Sequence, residues 1–527
     1  MHAEKLHARE PGDLVDNGVN QTTFGPGSQK HNPDMNINEE SNMGIVPMKP
    51  PNRSHESVAA EVVEGRPMTK ENIVEPNTRP TQSGESVSQG LQNVRQQARK
   101  DKHVRFTALL HHVTVELLQQ SFSGLKRDAA PGVDDMTWRE YETGLAERLS
   151  ELHGRVHRGA YRAQPSRRCY IPKSNGKKRP LGIAALEDKI VQQAVVTILN
   201  QIYEEDFRDF SYGFRPGRSQ HDALNALYVA LQRKRVNWVL DIDIKGFFDN
   251  IDKVQLIAML ELRIADPRIL RLVRKWLNAG IIEDGEWSET ETGTPQGAVI
   301  SPLLGNIYLH YVVDQWTDQW RQKRRGDVTI VRYADDAIIG FQNEYEARLY
   351  LKQLQEQLGK YGLELNEDKT RLIRFGRFAR LNREERGEGK PETFTFLGFQ
   401  HICATNSLGR FEVRRITDGD RRRKKLLEIK QELRWRMHDP IDETGKWLKS
   451  VLTGYYQYFA VPGNTAVLKN VRTRVVRHWF RALSQRSQRR PTWGKLGPVF
   501  DHWLPYPKVK HLFPDALFDA SHAAHPR

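Results

Sequence analysis

Apolar residues first recur at helical spacing after about residue 92, where Leu109, Leu110, Val113, Leu117 and Leu118 form a stripe that predicts a helix. The turn-rich run Ala130-Pro131-Gly132-Val133-Asp134 follows it. Residues 1–92 are rich in Asn, Gly, Pro, Ser and Glu and show little apolar periodicity, a composition that cannot offset the entropy of ordering, so a disordered leader is expected there. Residues 93–160 read as an N-terminal helical extension of a larger domain. Between Arg168 and about Cys403, short β-branched runs such as Asn237-Trp238-Val239-Leu240 and Thr329-Ile330-Val331-Arg332 alternate with helical segments, which makes the class α+β. From Thr417 onward the pattern turns mostly helical and basic, and the break near residues 405–416 is the expected domain boundary. No internal repeat is visible.

Two of the strand-like runs carry carboxylates where a strand should give way to a turn. Thr329–Phe341 is a pair of apolar strands around a polar tip, a hairpin that presents Asp335 and Asp336 side by side. Trp238–Asp249 runs a strand into a turn, with Asp241 and Asp243 on one face by the two-residue period. Adjacent anions repel unless a cation sits with them, and Asp243 is the residue expected to meet the hairpin tip across a sheet. Mg²⁺ prefers hard oxygen ligands, and two such ions can activate a 3′-hydroxyl and stabilise leaving pyrophosphate. Three converging aspartates therefore suit nucleotidyl transfer, although an isolated Ala-Asp-Asp is more often a solvated turn.

Charge agrees with a polyanionic partner. The 527 residues carry a formal net charge of +15, and clustered Lys and Arg gain free energy by releasing counterions condensed on phosphates. Residues 1–92 hold 8 Lys/Arg against 13 Asp/Glu, whereas residues 410–510 hold 24 against 9, so the C-terminal third is the candidate grip on nucleic acid. Only two cysteines occur, Cys169 and Cys403, which excludes a disulfide framework or a cysteine-rich zinc module and makes a reducing cytoplasm the default. The longest uncharged stretch, Thr292–Val313, is interrupted by Pro295, Gln296, Pro302, Asn306 and His310 and does not read as a membrane span.

Taken together, Tyr333-Ala334-Asp335-Asp336 and Asp243-Ile244-Lys245-Gly246-Phe247-Phe248 resemble the two catalytic motifs of reverse transcriptases, particularly those encoded by bacterial group II introns, over roughly residues 105–510. Gly293-Thr294-Pro295-Gln296-Gly297 with Ser301–Asn306 resembles the family's template- and nucleotide-positioning segment. Ile171–Pro180, Ser211–Ser219, Leu363–Thr370 and Phe396–Phe399 match further blocks.

The resemblance implies a right-hand polymerase: fingers and a ferredoxin-like palm over residues 161–405, an α-helical thumb/maturase domain (domain X) over 410–510, and a C-terminal tail over 511–527. It implies Asp243, Asp335 and Asp336 as catalytic and, with Ile244, as ligands of two Mg²⁺ ions. Lys173 and Arg179 would clasp the incoming triphosphate, as a point charge and a fork suited to phosphate oxygens, and Gln296 would face the nascent pair. Phe248 lies five residues after Asp243, where the family places a ring under the incoming sugar. RNA-synthesising relatives tend to carry an aspartate at that place; here Asp249 comes one residue later, which favours DNA synthesis.

Arg215 and Arg218 are candidates for template or nucleotide phosphates. Arg421, Arg422, Arg423, Lys424, Lys425, Arg472, Arg474 and Arg477, interleaved with Tyr455, Tyr456, Tyr458 and Trp479, are candidates for folded RNA. The implied partners are intron RNA, an RNA template with a DNA primer, target DNA and deoxynucleotide triphosphates, with no membrane; the implied place is a bacterial cytoplasmic ribonucleoprotein. Many relatives continue into an HNH endonuclease, and none is expected here. Asp135 and Gly305 stand where relatives tend to have glycine and alanine. Two alternatives stay open: a domesticated stand-alone reverse transcriptase, for instance in phage defence, and a maturase that only binds and splices RNA.

Overall fold

The computed structural model describes residues 82–172, 178–289, 292–294, 296–486 and 491–515. Order begins earlier than expected. The helix Gln82–Lys100 starts inside the anticipated leader, because Leu91, Val94 and Ala98 make a narrow apolar stripe among polar residues and bury it. The expected helix at 109–118 is split: all five apolar residues are buried, but the chain makes one tight turn, Leu110–His112, and restarts at Val115–Ser123. The restart is set by Thr114, whose side chain accepts from the Leu117 amide as an N-cap. A second cap, Thr137 with Glu140, opens the short helix Trp138–Glu142 as a reciprocal capping box. These elements pack with the long helix Leu186–Asp206, which buries Ile190, Val191, Ala194, Val195, Ile198 and Leu199.

Eleven strands are described: β1 Ser166–Pro172, β2 Lys178–Ile183, β3 Trp238–Asp243, β4 Ile281–Glu283, β5 Glu286–Ser288, β6 Val328–Tyr333, β7 Asp336–Phe341, β8 Arg371–Arg374, β9 Phe394–Phe396, β10 Phe399–Thr405 and β11 Phe411–Thr417. They form three sheets, ordered β2-β1-β4-β5, β6-β7-β3-β8 and β11-β10-β9. The second sheet is antiparallel throughout and is covered on both faces. Leu240, Ile242, Ile330, Ala337, Ile339 and Phe341 join the core built on the N-terminal helices. Val239, Val331, Tyr333 and Ile338 join the core built on the helix Gln220–Arg233 and the C-terminal helices. The two-residue period of each strand thus feeds two cores at once.

The boundary expected at 405–416 is corrected. Those residues form the β10–β11 hairpin, paired without interruption from Phe399↔Thr417 to Thr405↔Phe411. The change to helix comes after it, at Asp418, whose side chain caps the helix Gly419–Trp435. The buried face of β11 carries Arg415 and Thr417 beside Val413, so the segment lacks a clean apolar alternation and read as a boundary rather than a strand. The helices Ile441–Phe459, Thr465–Ser484 and Trp493–Trp503 follow, packed through Leu448, Leu452, Leu468, Val475, Trp479 and Phe500. Among the described residues no helix is long and apolar enough to cross a membrane, and both cysteines are free.

Candidate active site

The carboxylates gather at one end of the β6-β7-β3-β8 sheet. Tyr333 pairs with Asp336 across a two-residue turn, Ala334-Asp335, and Asp336 pairs in turn with Asp243 at the end of β3. Ala334 takes a φ of +56°, a conformation that costs a residue with a Cβ about 1–2 kcal/mol. The three expected aspartates are therefore neighbours in the backbone register.

The environment is anionic and crowded. Asp336 reaches solvent, yet desolvation by the surrounding protein, and then the charges of Asp335, Asp243 and Asp241, push its carboxyl up to about 7. Asp241, two residues back along β3, is raised to about 6, chiefly by burial. Lys369 partly offsets this surplus: its Nζ donates to both oxygens of Asp243 at 2.8 and 2.9 Å, and Asn366 Nδ2 donates to the same carboxylate at 3.0 Å. Asn366 and Lys369 come from the block after the helix Glu344–Gly359, held by Asn366 N donating to Asp243 O at 2.8 Å. Among the described residues no three acidic, His or Cys side chains surround a single point closely enough to hold an ion as placed. The donor set nonetheless fits a hard divalent cation, since the acidic side chains offer oxygen ligands and their mutual repulsion adds to the desolvation that raises Asp336. Ile244 sits in a bridge with Leu365 that uses the Asp243 carbonyl and the Lys245 amide, not the Ile244 carbonyl.

The nucleotide-positioning residues assemble on the next turn. Gly246 (φ +55°) leads β3 into a tight turn at Phe247–Asp249, which buries Phe247 and leaves Phe248 half-buried. Both rings lie over Gly305, where a Cβ would come within 2.9 Å of Phe248 Cε1 and 3.1 Å of Phe247 Cε1. The segment around Gly293 docks on this turn, with Thr294 N donating to Phe248 O at 2.9 Å, and Gln296 Nε2 donates to Asp249 Oδ1 at 2.7 Å. Gly182 N donates to Gln296 O at 2.6 Å, joining β2 to the same place. Arg179 occupies β2 opposite Ile171; Lys173 lies outside the described residues.

The two arginines of the Ser211–Ser219 segment bond within the chain. Arg215 is buried, paired with Glu204 at 3.0 Å and donating to Arg208 O at 2.7 Å and Ser211 O at 2.8 Å. Arg218 turns back on its own loop, donating to the Asp209 carbonyl and carboxylate at 2.5 and 3.0 Å. In the C-terminal region Arg472 is likewise spent on structure: it pairs with Asp501 at 2.7 Å, donates to Leu504 O at 3.1 Å and stacks 3.6 Å over Tyr506. Arg474, Arg477, Arg421, Arg423 and Lys424 are exposed, and Arg422 and Lys425 half-buried, with Arg423 beside Asp420 and Lys425 beside Glu428.

Sequence reasoning missed the group behind the turn. Arg332 is buried and donates through Nε and Nη2 to Asp314 at 2.7 and 2.5 Å, through Nη1 to Asn306 Oδ1 at 3.1 Å and Ala334 O at 2.8 Å, and through Nη2 to Ser211 Oγ at 2.7 Å. The available signal was a charge on the same strand face as the apolar Ile330, a core-facing position.

An antiparallel hairpin with paired aspartates beside a strand ending in a third is the arrangement of the nucleic-acid polymerase class. Sequence comparison narrows that class. Residues 171–401 match the model of the family "Reverse transcriptase (RNA-dependent DNA polymerase)". Protein YkfC of Escherichia coli is 37% identical over 275 residues, 46% of this chain and 72% of that protein. The group II intron-encoded protein LtrA of Lactococcus lactis is 46% identical over 178 residues, 34% of this chain and 29% of that protein. An uncharacterized 91 kDa protein in the cob intron of Schizosaccharomyces pombe is 45% identical over 146 residues, 28% of this chain and 18% of that protein. The chain belongs to the reverse transcriptase family. It spans 29% of the length of LtrA.

Proposed function

We propose that the chain is an RNA-directed DNA polymerase of a group II intron that also binds the intron RNA and assists its splicing and mobility. The observation that carries the reading is the register Asp243↔Asp336 with Asp335 in the intervening turn. In this reading the β6-β7-β3-β8 sheet is the palm, β1, β2 and the preceding helices are the fingers, and the helices after Asp418 are the thumb and maturase region. Asp243, Asp335 and Asp336 would hold two Mg²⁺ ions, which supply Lewis-acid activation of the primer hydroxyl and neutralise the leaving pyrophosphate. The chain's own residues do the rest. Lys173 and Arg179 neutralise the triphosphate, Gln296 positions the nascent pair from its anchor on Asp249, and Phe248 closes the space beneath the sugar against a 2′-hydroxyl. Exposed Arg474, Arg477, Arg421, Arg423 and Lys424 offer phosphate contacts to folded RNA and, in the same ribonucleoprotein, to target DNA.

Primer extension on an RNA template tests the polymerase: Asp335→Ala should abolish extension and leave RNA affinity unchanged, and retained extension would sink the scheme. Splicing of a transcript carrying this gene and its flanks at low Mg²⁺ tests the maturase role. Protein-dependent ligation of the flanking sequences supports it; extension without any protein-dependent splicing would leave a stand-alone reverse transcriptase.

A further inference from the structure

The segment Ser211–Ser219 was expected to grip phosphate, but Arg215 is buried against Glu204 and Arg218 bonds to its own loop at Asp209. What the segment does touch is the back of the carboxylate turn. Ser211 bridges Arg332 in parallel, with Arg332 N donating to Phe210 O at 2.8 Å and Tyr212 N to Arg332 O at 2.9 Å. Gly213 lies flat beneath the turn: a Cβ there would come within 3.0 Å of the Tyr333 carbonyl carbon and closer still to the Ala334 amide nitrogen. Asn306 Nδ2 donates to Gly213 O at 2.7 Å, and Asn306 Oδ1 accepts from Arg332.

All five N–H donors of the Arg332 guanidinium are used, and one goes to the carbonyl of the residue with positive φ. Its ion-pair partner, Asp314, is buried in the π-helical turn His310–Asp314 that follows the helix Ser301–Leu309. Asp335 shares the wall of a small cavity of about 20 Å³ with Arg332 and Asp314.

We infer that Ser211, Gly213, Asn306, Asp314 and Arg332 form a buried clamp that holds Ala334 at its positive φ in the Ala334-Asp335 turn and so sets where the Asp335 and Asp336 carboxylates stand. These are positioning residues; none touches substrate. Arg215 and Arg218 belong to the clamp's foundation, since both donate to the Ser211 carbonyl. Asn306 lies on the same helix as Gly305, the seat of Phe248, so the clamp ties the carboxylate turn to the sugar-checking turn through one rigid element. A left-handed alanine persists only where surrounding contacts over-determine it, and here a glycine bed, a five-donor fork and a parallel bridge converge on it.

The inference rests on the proposed polymerase reading, and its test separates the two. Primer–template is bound to the full chain and then chased with deoxynucleotides and a trap, so that the amplitude reports the competent fraction and the rate constant reports placement of the carboxylates. Two variants serve. Arg332→Lys keeps a cation against Asp314 and loses the fork; Gly213→Ala keeps every side chain of the network and lifts the turn. For both, the rate constant should fall at least tenfold at unchanged amplitude, with primer–template affinity and deoxynucleotide KM within twofold of the parent. A parental rate constant at full amplitude, or at reduced amplitude, would overturn the clamp, the latter because it reduces the network to ordinary folding support. A parent chain that extends no primer would overturn the polymerase reading and the clamp with it.

Discussion

His401 makes stability depend on pH in a direction that can be worked out. It sits fully buried on β10, stacked on Phe394 with ring centroids 4.7 Å apart and planes 2° from parallel, and neither ring nitrogen makes a well-formed hydrogen bond. Desolvation, and then the nearby Arg415 charge, lower it from 6.5 to about 3. The folded chain therefore keeps this imidazole neutral while the unfolded chain protonates it below 6.5, so stability falls as pH drops from 6.5 toward 3. Between pH 7.5 and pH 5 that one residue should remove about 2 kcal/mol. Buried acids act oppositely: Asp188, raised to about 6 mainly by burial, takes up its proton in the folded state first and gains stability over part of the range. The useful quantity is thus a difference. Urea unfolding of the parent and of His401→Leu at both pH values should show the variant losing about 2 kcal/mol less on acidification; equal losses would mean that the imidazole is hydrated or paired in the folded chain and that the reasoning is wrong.

Phe248→Ala should relax discrimination between deoxy- and ribonucleotides, read as the ratio of kcat/KM for the two; an unchanged ratio removes the ring from that role. Gly305→Ala should cost about 1–3 kcal/mol in unfolding free energy by overpacking and should alter the same sugar ratio, because the added Cβ lands on Phe248; a variant neutral in both would show that the rings have room to move. Arg474→Ala and Arg477→Ala should each weaken RNA binding and reduce the slope of log affinity against log salt by about 1, whereas Arg472→Ala, which loses a carboxylate partner and a stacked ring, should lower the midpoint of thermal unfolding and leave that slope unchanged.

What the sequence disclosed, and what it hid, follows from the range over which each signal acts. The hairpin tip and the third aspartate were legible because a period of two, a turn and adjacent carboxylates are local, and the structure pairs Asp243 with Asp336 across neighbouring strands. The docking of Gln296 on the turn after β3 was only hinted at by glycines, since the partner, Asp249, is 47 residues away. Arg215 was misread because an arginine between glycines in a polar loop looks solvated, and nothing local announces Glu204 waiting on a preceding helix. The leader's end was misplaced for a related reason: Leu91, Val94 and Ala98 are too few to outweigh their polar neighbours until the helix Leu186–Asp206 covers them.

Charge shows the same limit more sharply. A net charge of +15 invites the view that the basic residues form a surface for phosphates, yet Arg215, Arg263, Arg332, Arg415 and Arg472 are all buried. Arg263 pairs with Asp206 at 2.9 Å and Arg332 with Asp314 at 2.5 Å, while Arg415 has the Asn225 side chain at 3.0 Å and the face of Tyr228. Burying an ion pair gains little net stability, because desolvation consumes most of the attraction, but breaking one by removing a single partner costs about 3–5 kcal/mol. Such arginines are therefore spent on contacts within the chain, and the net charge overstates the cations left at its surface. Among the described residues, Arg421, Arg423, Lys424, Arg474 and Arg477 stay exposed on the helices after Asp418, whereas Arg332, next to the carboxylate turn, acts from behind, on the backbone that carries the aspartates.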